Sequence, residues 1–282
     1  MNVIGVVLTI AAILTGFILG GGKPLVLIQI SEYIVLFGGA AGILVASTTP
    51  SIMKDAIKVI AGFAKSNPLS KKVYLELLLF IYHLSVKVRK DGILSLEAIV
   101  DKPEESPVMQ SNTFLLKNKE AREFVIDAIR NIVTGIEIEK LDEMLDSNIE
   151  VVEKEMSIAP KMVAKIAESM PGMGIVAAVM GVILTMGALG GSILEVGHHV
   201  AGALTGTFLG LLLCYVVIGP MATVQELKNE DFVGYLKSLK VGIISIAKGD
   251  APIIAMESVR QTIPPTYRTE FDEVEKLAKE RR

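Results

Sequence analysis

The sequence predicts an all-α polytopic membrane protein with four transmembrane helices and a helical cytoplasmic domain. The chain has 282 residues, of which 51% are hydrophobic, and its mean hydropathy is +0.53. A soluble domain of this length is rarely so apolar, because its surface must face water. Since 21% of the residues are nevertheless charged, apolar and charged residues must occupy different parts of the chain.

Four apolar runs are each about as long as the roughly 20 residues that a helix needs to cross a bilayer. They extend over residues 3 to about 19, from after Glu32 to about 52, from Pro171 to about 194, and from about 200 to 224. We therefore divide the chain into helices 1 and 2 (1–52), a cytoplasmic helical domain (53–170), helices 3 and 4 (171–224) and a cytoplasmic C-terminal tail (225–282).

The distribution of Lys and Arg predicts the orientation of these spans. The connection between spans one and two holds one basic residue, Lys23, and the connection between spans three and four holds none. Basic residues are frequent in the long segment between spans two and three and in the tail. Because such loops stay in the cytoplasm, we expect a multi-pass protein of the inner membrane with both termini cytoplasmic.

The charged segments predict helices, because apolar residues recur there at helical spacing. Residues 74, 77, 78, 81, 84 and 88 form one apolar stripe, and Leu141, Leu145, Ile149 and Val152 form another. The net charge of −3 argues against a nucleic-acid partner.

The few residues with reactive side chains form no catalytic pattern. The three His residues and the single Cys form no hydrolase or redox constellation, so we expect no enzyme, cofactor or metal site. His198 and His199 are placed in the outer connection.

Glycines recur at four-residue spacing within the spans. Gly202, Gly206 and Gly210 lie in span four, and Gly38 and Gly42 lie in span two. Small residues at this spacing let helix backbones approach closely in lipid. The pattern fits packing within one chain as well as a crowded assembly of several subunits.

The polar groups of spans three and four are hydroxyls, namely those of Thr185, Thr205 and Thr207. With span two starting after Glu32, no Asp, Glu, Lys or Arg lies inside any span. An ion pathway through a membrane normally needs an ionisable group. If this chain lines such a pathway, its carboxylate is expected to come from another chain.

Several segments resemble the MotA family of flagellar stator subunits, in the family's order and along nearly the whole chain. Residues 171–182 (PGMGIVAAVMGV) are similar to the start of the family's third span, and residues 205–210 (TGTFLG) with 219–222 (GPMA) resemble its fourth. Residues 89–97 match the family's R-x-x-G-x-x-x-L-E. Residues 249–252 (GDAP) and Glu257 resemble its tail.

This resemblance implies a partner and a mechanism. Family members form a pentameric ring around MotB, which anchors to peptidoglycan and supplies the membrane aspartate. Ion passage then drives the ring, whose cytoplasmic domain pushes the rotor protein FliG. Arg89 and Glu97 match the charged pair that engages the rotor, and Pro171 and Pro220 match two prolines that couple ion flow to shape change.

The coupling ion is predicted from the hydroxyls that resemble those of the family. Thr207 matches a hydroxyl that lines the ion path. Sodium-coupled relatives usually also carry Thr where this chain has Ala178 and Gly206. Since oxygen ligands suit a hard cation, their absence favours protons, and sodium stays possible.

Two other functions remain open at this point. An ExbB/TolQ-type proton-channel subunit, which energises outer-membrane processes, shares the proline-led span but generally has three spans. A membrane scaffold without ion flux would use the glycine faces only to hold an assembly together.

Overall fold

The computed structural model describes residues 1–187, 190 and 192–280, and every regular element in these residues is helical. The predicted all-α fold class is confirmed. Residues 188, 189 and 191 of predicted span three, and residues 281 and 282 of the predicted tail, lie outside the described residues. The helices are α1 (Asn2–Leu19), α2 (Ile30–Ser47), α3 (Pro50–Ala61), α4 (Lys71–Asp91), α5 (Glu97–Asp101), α6 (Pro107–Gln110), α7 (Thr113–Lys117), α8 (Lys119–Val133), α9 (Ile138–Gly187), α10 (Ile193–Leu212), α11 (Gly219–Ala247), α12 (Pro252–Thr262) and α13 (Phe271–Glu280).

The chain forms two compact units. Unit 1 comprises Met1–Ser66 and Met156–Leu227, and unit 2 comprises Asn67–Glu155 and Lys228–Arg282. Helices α9 and α11 each contribute residues to both units.

Four helical stretches are long and apolar enough to cross a membrane, in agreement with the predicted number of spans. They are Asn2–Leu19, Pro24–Ser47, Ile138–Gly187 and Ile193–Ala247. The helices extend beyond two of the predicted span boundaries. Helix α9 does not begin at Pro171 but runs through it, and α10 begins at Ile193, so that His198 and His199 lie in a helix rather than in a connection.

Two clusters of buried apolar side chains form the core of unit 1. Ala56 and Val59 of α3 pack with Val163 of α9 and Ala222 of α11. A second cluster joins residues of α9 to Cys214, which follows α10; its buried members on α9 are Ile166, Ala167 and Met170. These two clusters combine small side chains with larger ones such as Ile166 and Met170.

Large side chains form the core of unit 2, with α4 at its centre. Tyr74 of α4 packs against Tyr235 of α11 and Tyr267, with ring centroids 5.7 and 5.5 Å apart. Phe114 contacts Tyr235 edge-on at 5.0 Å, and Asn112 Nδ2 donates a hydrogen bond of 3.4 Å to the Tyr235 hydroxyl. Burial of such aromatic groups is the main stabilising contribution expected in a domain surrounded by water.

An ion-pair cluster joins α9 to α11 inside unit 2. Lys240 Nζ lies 2.9 Å from Asp142 Oδ1 and 2.7 Å from Asp146 Oδ1. Burial disfavours the charged ammonium, but the hydrogen bonds to Asp146 and Asp142 outweigh it and raise the pKa of Lys240.

Candidate functional site

The contact between α9 and α10 brings the two predicted channel-lining helices together. A Cβ added at Gly174 would lie 2.9 Å from the carbonyl oxygen of Gly206, and one added at Gly210 would lie 2.6 Å from that of Met170. These distances are shorter than a Cβ contact allows, so only glycine fits at either position. The predicted role of the span-four glycines in close packing is therefore realised within one chain at Gly206 and Gly210.

Thr207 and Ala178, the predicted pathway residues, flank this contact. Thr207 Oγ1 donates a hydrogen bond of 3.4 Å to the carbonyl oxygen of Gly174. Ala178 lies one helical turn after Gly174, and both Thr207 and Ala178 are half-buried. The side chain of Thr207 thus joins the two helices at a point from which it stays partly accessible.

The other two hydroxyls of these spans have local partners. Thr185 Oγ1 donates to the carbonyl of Gly181 at 2.8 Å, and Thr205 Oγ1 donates to that of Ala201 at 2.8 Å. Each bonds back to its own helix four residues earlier, as Thr commonly does in spans. They are therefore less suited to an ion than Thr207, whose hydrogen bond is longer and crosses to another helix.

Pro171 lies in the interior of α9, together with Pro160, which the sequence reasoning did not single out. A proline has no backbone N–H, so Pro171 makes no hydrogen bond to the carbonyl of Ala167, four residues earlier. Its neighbour Met170 contributes the carbonyl that lies against Gly210. Pro171 therefore weakens α9 where that helix touches α10.

Pro220 follows a π-helical segment, Leu213–Ile218, which joins α10 to α11. The N–H of Gly219 donates to the carbonyl of Cys214, five residues earlier, and a Cβ at Gly219 would lie only 2.5 Å from that oxygen. The wider π turn accommodates the proline ring, which would clash with the carbonyl of Val216 in a regular α-helix. The structure does not bring Pro220 to the contact between Thr207 and Gly174. Thr207 lies in α10, more than three helical turns before Pro220.

Glu32 corrects the expectation that the spans carry no carboxylate. It lies in the first turn of α2, inside the candidate span Pro24–Ser47, and is buried. In the sequence, its charge marks the boundary of an apolar run. The apolar residues on its N-terminal side, such as Leu25 and Val26, were the signal that could have placed it within the span.

Arg89 and Glu97 lie in unit 2 on either side of a sharp turn. Arg89 is in the last turn of α4, and Glu97 is the first residue of α5. The turn depends on Gly92, which ends α4 with a φ of +81°, a conformation that L side chains rarely adopt. Both charged side chains are exposed, and neither has an ion-pair partner within the part of the chain that the structure describes. The structure thus presents two free charges of opposite sign at one end of α4.

Two family models match the chain. The model described as "Motility protein A N-terminal" matches residues 3–92, and the model described as "MotA/TolQ/ExbB proton channel family" matches residues 116–238. A proton-channel family agrees with the prediction that the chain is not an enzyme. The N-terminal match favours MotA over the ExbB/TolQ alternative.

The relatives are similar over almost their whole length. The chain is 31% identical to motility protein A of Salmonella typhimurium over 96% of this chain and 92% of the relative, and equally to that of Escherichia coli. Its fold matches the MotAB structure of C. jejuni (TM-score 0.78, 24% identity, 94% and 95% of the two chains). It also matches the MotAB stator complex of Bacillus subtilis (TM-score 0.76, 21% identity, 95% and 97%). The chain therefore belongs to the motility protein A family of the MotA/TolQ/ExbB proton-channel proteins.

Proposed function

We propose that this chain is the ion-conducting stator subunit of a bacterial flagellar motor and couples transmembrane proton flow to torque on the rotor. The α9–α10 contact, where half-buried Thr207 and Ala178 flank glycine-to-backbone packing, is the observation that carries the proposal. Family membership supports the same function, since the matching model describes proton channels.

MotB is the proposed partner, and the chain is proposed to form a pentameric ring around it. The solved relatives that match the fold are MotAB complexes. The isolated chain also leaves surfaces open for such an assembly. A Cβ at Gly38 or Gly42 of α2 would meet nothing within 4 Å, and α1 has no buried residue. Small residues with open space in front of them fit close packing against another subunit.

The orientation in the membrane is proposed from the basic residues. Lys23 is the only basic residue in the two short connections between spans, whereas Lys and Arg are frequent in residues 53–170 and 225–282. By the positive-inside rule these two segments and both termini lie in the cytoplasm, and the protein is a multi-pass protein of the inner membrane.

Arg89 and Glu97 are proposed to contact the rotor protein FliG. Both side chains are exposed and have no ion-pair partner among the described residues, so charged groups of another protein can pair with them without breaking an existing contact. An interface of this kind determines which proteins pair and how fast, more than how tightly they bind.

Reversal of these two charges tests the rotor contact. We expect the double substitution Arg89→Glu and Glu97→Lys to abolish swimming, because each charge would then repel its counterpart on the rotor. The measurement is swimming speed in a stator-less strain that co-expresses the cognate MotB. The wild-type chain should restore swimming, and the double variant should accumulate and bind MotB normally without restoring it.

The matched control is a charge reversal elsewhere on unit 2. Lys102 Nζ lies 3.0 Å from Glu105 Oε1 on the surface, so exchanging the two residues keeps their pairing. This exchange should leave swimming intact. Normal swimming of the Arg89/Glu97 variant at low expression would overturn the rotor contact. A wild-type chain that binds MotB but never restores swimming would favour the alternative that the chain is a membrane scaffold without ion flux.

A further inference from the structure

Glu32 is a carboxyl group buried inside unit 1, with one oxygen that lacks a partner. The residue is 7% exposed and lies in the first turn of α2. Its Oε1 accepts a hydrogen bond of 3.4 Å from Ser31 Oγ, whereas Oε2 has no hydrogen-bond partner among the described residues. A carboxyl group buried in a membrane span is energetically costly, and residues of this kind usually serve a function.

The glycine face of α10 receives this carboxyl group. A Cβ at Gly206 would collide with Glu32 Oε2 and would lie 2.9 Å from the Cβ of Ala177. A Cβ at Gly202 would still lie 4.0 Å from Oε1. Oε2 is thus packed against the backbone of α10, beside the point where α10 meets α9.

No cation in the described part of the chain neutralises Glu32. The titratable residues nearest to it along α10 are His198 and His199, one turn before Gly202, and Glu195 lies before them. Helix α9 has no ionisable residue from 169 to 187, and the only ionisable residue of α2 besides Glu32 is Tyr33, whose phenol is neutral or negative and supplies no positive charge. An ionised carboxylate here would keep an unpaired charge in an apolar environment, whereas the protonated acid would not.

The carboxyl group lies next to both predicted pathway residues. Gly206 precedes Thr207, and Ala177 precedes Ala178. A charge that appeared on Glu32 would therefore act on the same α9–α10 contact that Thr207 spans. Ionisation would require water or a cation to enter between α2 and α10.

We propose that Glu32 is a second proton-binding carboxyl of the transport path, contributed by this chain in addition to the carboxylate of its partner. The group holds a proton while it packs against Gly206. It releases that proton to water or to the next carboxylate when α2 and α10 separate, and rebinds one before they close. This inference rests on the proposed proton-channel function.

Infrared difference spectroscopy tests proton binding without requiring transport. The full chain in complex with MotB, in lipid nanodiscs, is titrated between acidic and alkaline pH. We expect the C=O band of a protonated carboxyl that is lost reversibly at high pH. The band should be absent in Glu32→Gln and displaced in Glu32→Asp, so a variant that does not assemble still leaves the other as a test. A wild-type spectrum without such a band would overturn the proposal.

Proton flux in proteoliposomes tests the transport role. Under an imposed potential, Glu32→Gln should lower the flux about 100-fold, the low end of what a positioned proton-transfer group contributes, and Glu32→Asp should restore most of it. Glu195→Gln, which makes the same change at an exposed carboxyl group in the first turn of α10, is the matched control and should conduct normally. Unchanged flux in Glu32→Gln would overturn the proposal. If the wild-type complex conducts no protons while the Glu32 band titrates, the proposed function fails and the proton-binding site stands.

Discussion

Units 1 and 2 differ in how their central helices meet. In unit 1, helices meet through glycine, and an added Cβ at Gly174 or Gly210 would come within 3 Å of a facing backbone oxygen. In unit 2, helices meet through fully buried large side chains such as Tyr74, Leu77 and Phe80.

The difference follows from the solvent that each unit is expected to face. In lipid, side chains gain little from leaving an environment as apolar as themselves, so close backbone approach stabilises the contact. In water, each large apolar side chain that is buried contributes about 1.5–3 kcal/mol. We therefore expect that replacing a closely packed glycine by a larger residue destabilises unit 1. Truncation of a large buried side chain should destabilise unit 2.

The largest effect is expected from Gly210→Val. The new Cβ would overlap the carbonyl of Met170, which belongs to a backbone and cannot rotate away, so the cost should exceed the about 1–3 kcal/mol of ordinary overpacking. Membrane accumulation and monodispersity of the purified chain measure it. Gly197→Val in the same helix is the control, because a Cβ there meets nothing within 4 Å. Equal accumulation of the two variants would contradict glycine packing in unit 1.

Leu77→Ala should have the next largest effect. Leu77 is fully buried in α4, and truncation of such a residue leaves a cavity that costs about 2–5 kcal/mol. Thermal unfolding followed by circular dichroism, with protease resistance of the full chain, measures the loss. Leu94→Ala removes the same atoms from a residue that is 68% exposed and should change little. If both variants were equally stable, a large-side-chain core in unit 2 would be refuted.

Glu257→Gln should have a smaller effect that depends on pH. Glu257 accepts hydrogen bonds from Arg260 Nε at 2.6 Å and Nη2 at 2.9 Å, and this guanidinium lowers the pKa of Glu257. A lowered pKa in the folded chain means that the stabilisation is present above the unfolded pKa of about 4.3 and is lost as pH falls through the folded value. At pH 7 the expected cost is about 1 kcal/mol for this partly exposed pair.

The melting temperatures of wild type and Glu257→Gln at neutral and acidic pH measure this contribution. The difference between them should shrink as the pH falls below about 4.3 and vanish once the pH lies below the lowered pKa of Glu257 in the folded chain. Glu275→Gln, which breaks an exposed pair with Lys279, is the control and should cost less at every pH. A difference that persists in acid would show that Glu257 acts through packing rather than charge.

The spans could be predicted because their length and apolarity depend on nothing outside each segment. The points at which the helices begin, end or change type could not be predicted in this way. Pro171 opens the apolar run, and proline is common at the first helical position, yet α9 runs through it, with Met170 packed in a core cluster before it and Gly174 against Gly206 after it. Glu32 suggested a boundary, and only the glycine face of α10 explains how a carboxyl can be buried there. The π segment before Pro220 had no periodic signal of its own.

The candidate site was only partly predictable for a related reason. The exposure of Arg89 and Glu97 follows from their positions at a helix end and after Gly92, but their proposed roles came from resemblance and not from their chemistry. Thr207 could not be distinguished from Thr185 or Thr205 by residue type. Its hydrogen bond to another helix distinguishes it, and that bond requires the tertiary structure.

The identity of the coupling ion tests the proposed function most directly. The swimming speed of a cell with a proton-driven stator depends on the pH gradient and not on external sodium. The measurement is the swimming speed of a stator-less strain that carries this chain and its MotB, at fixed membrane potential, as the pH gradient and external sodium are varied separately. We expect the speed to follow the pH gradient and to stay unchanged when sodium is removed. A speed that falls with sodium and ignores the pH gradient would contradict it.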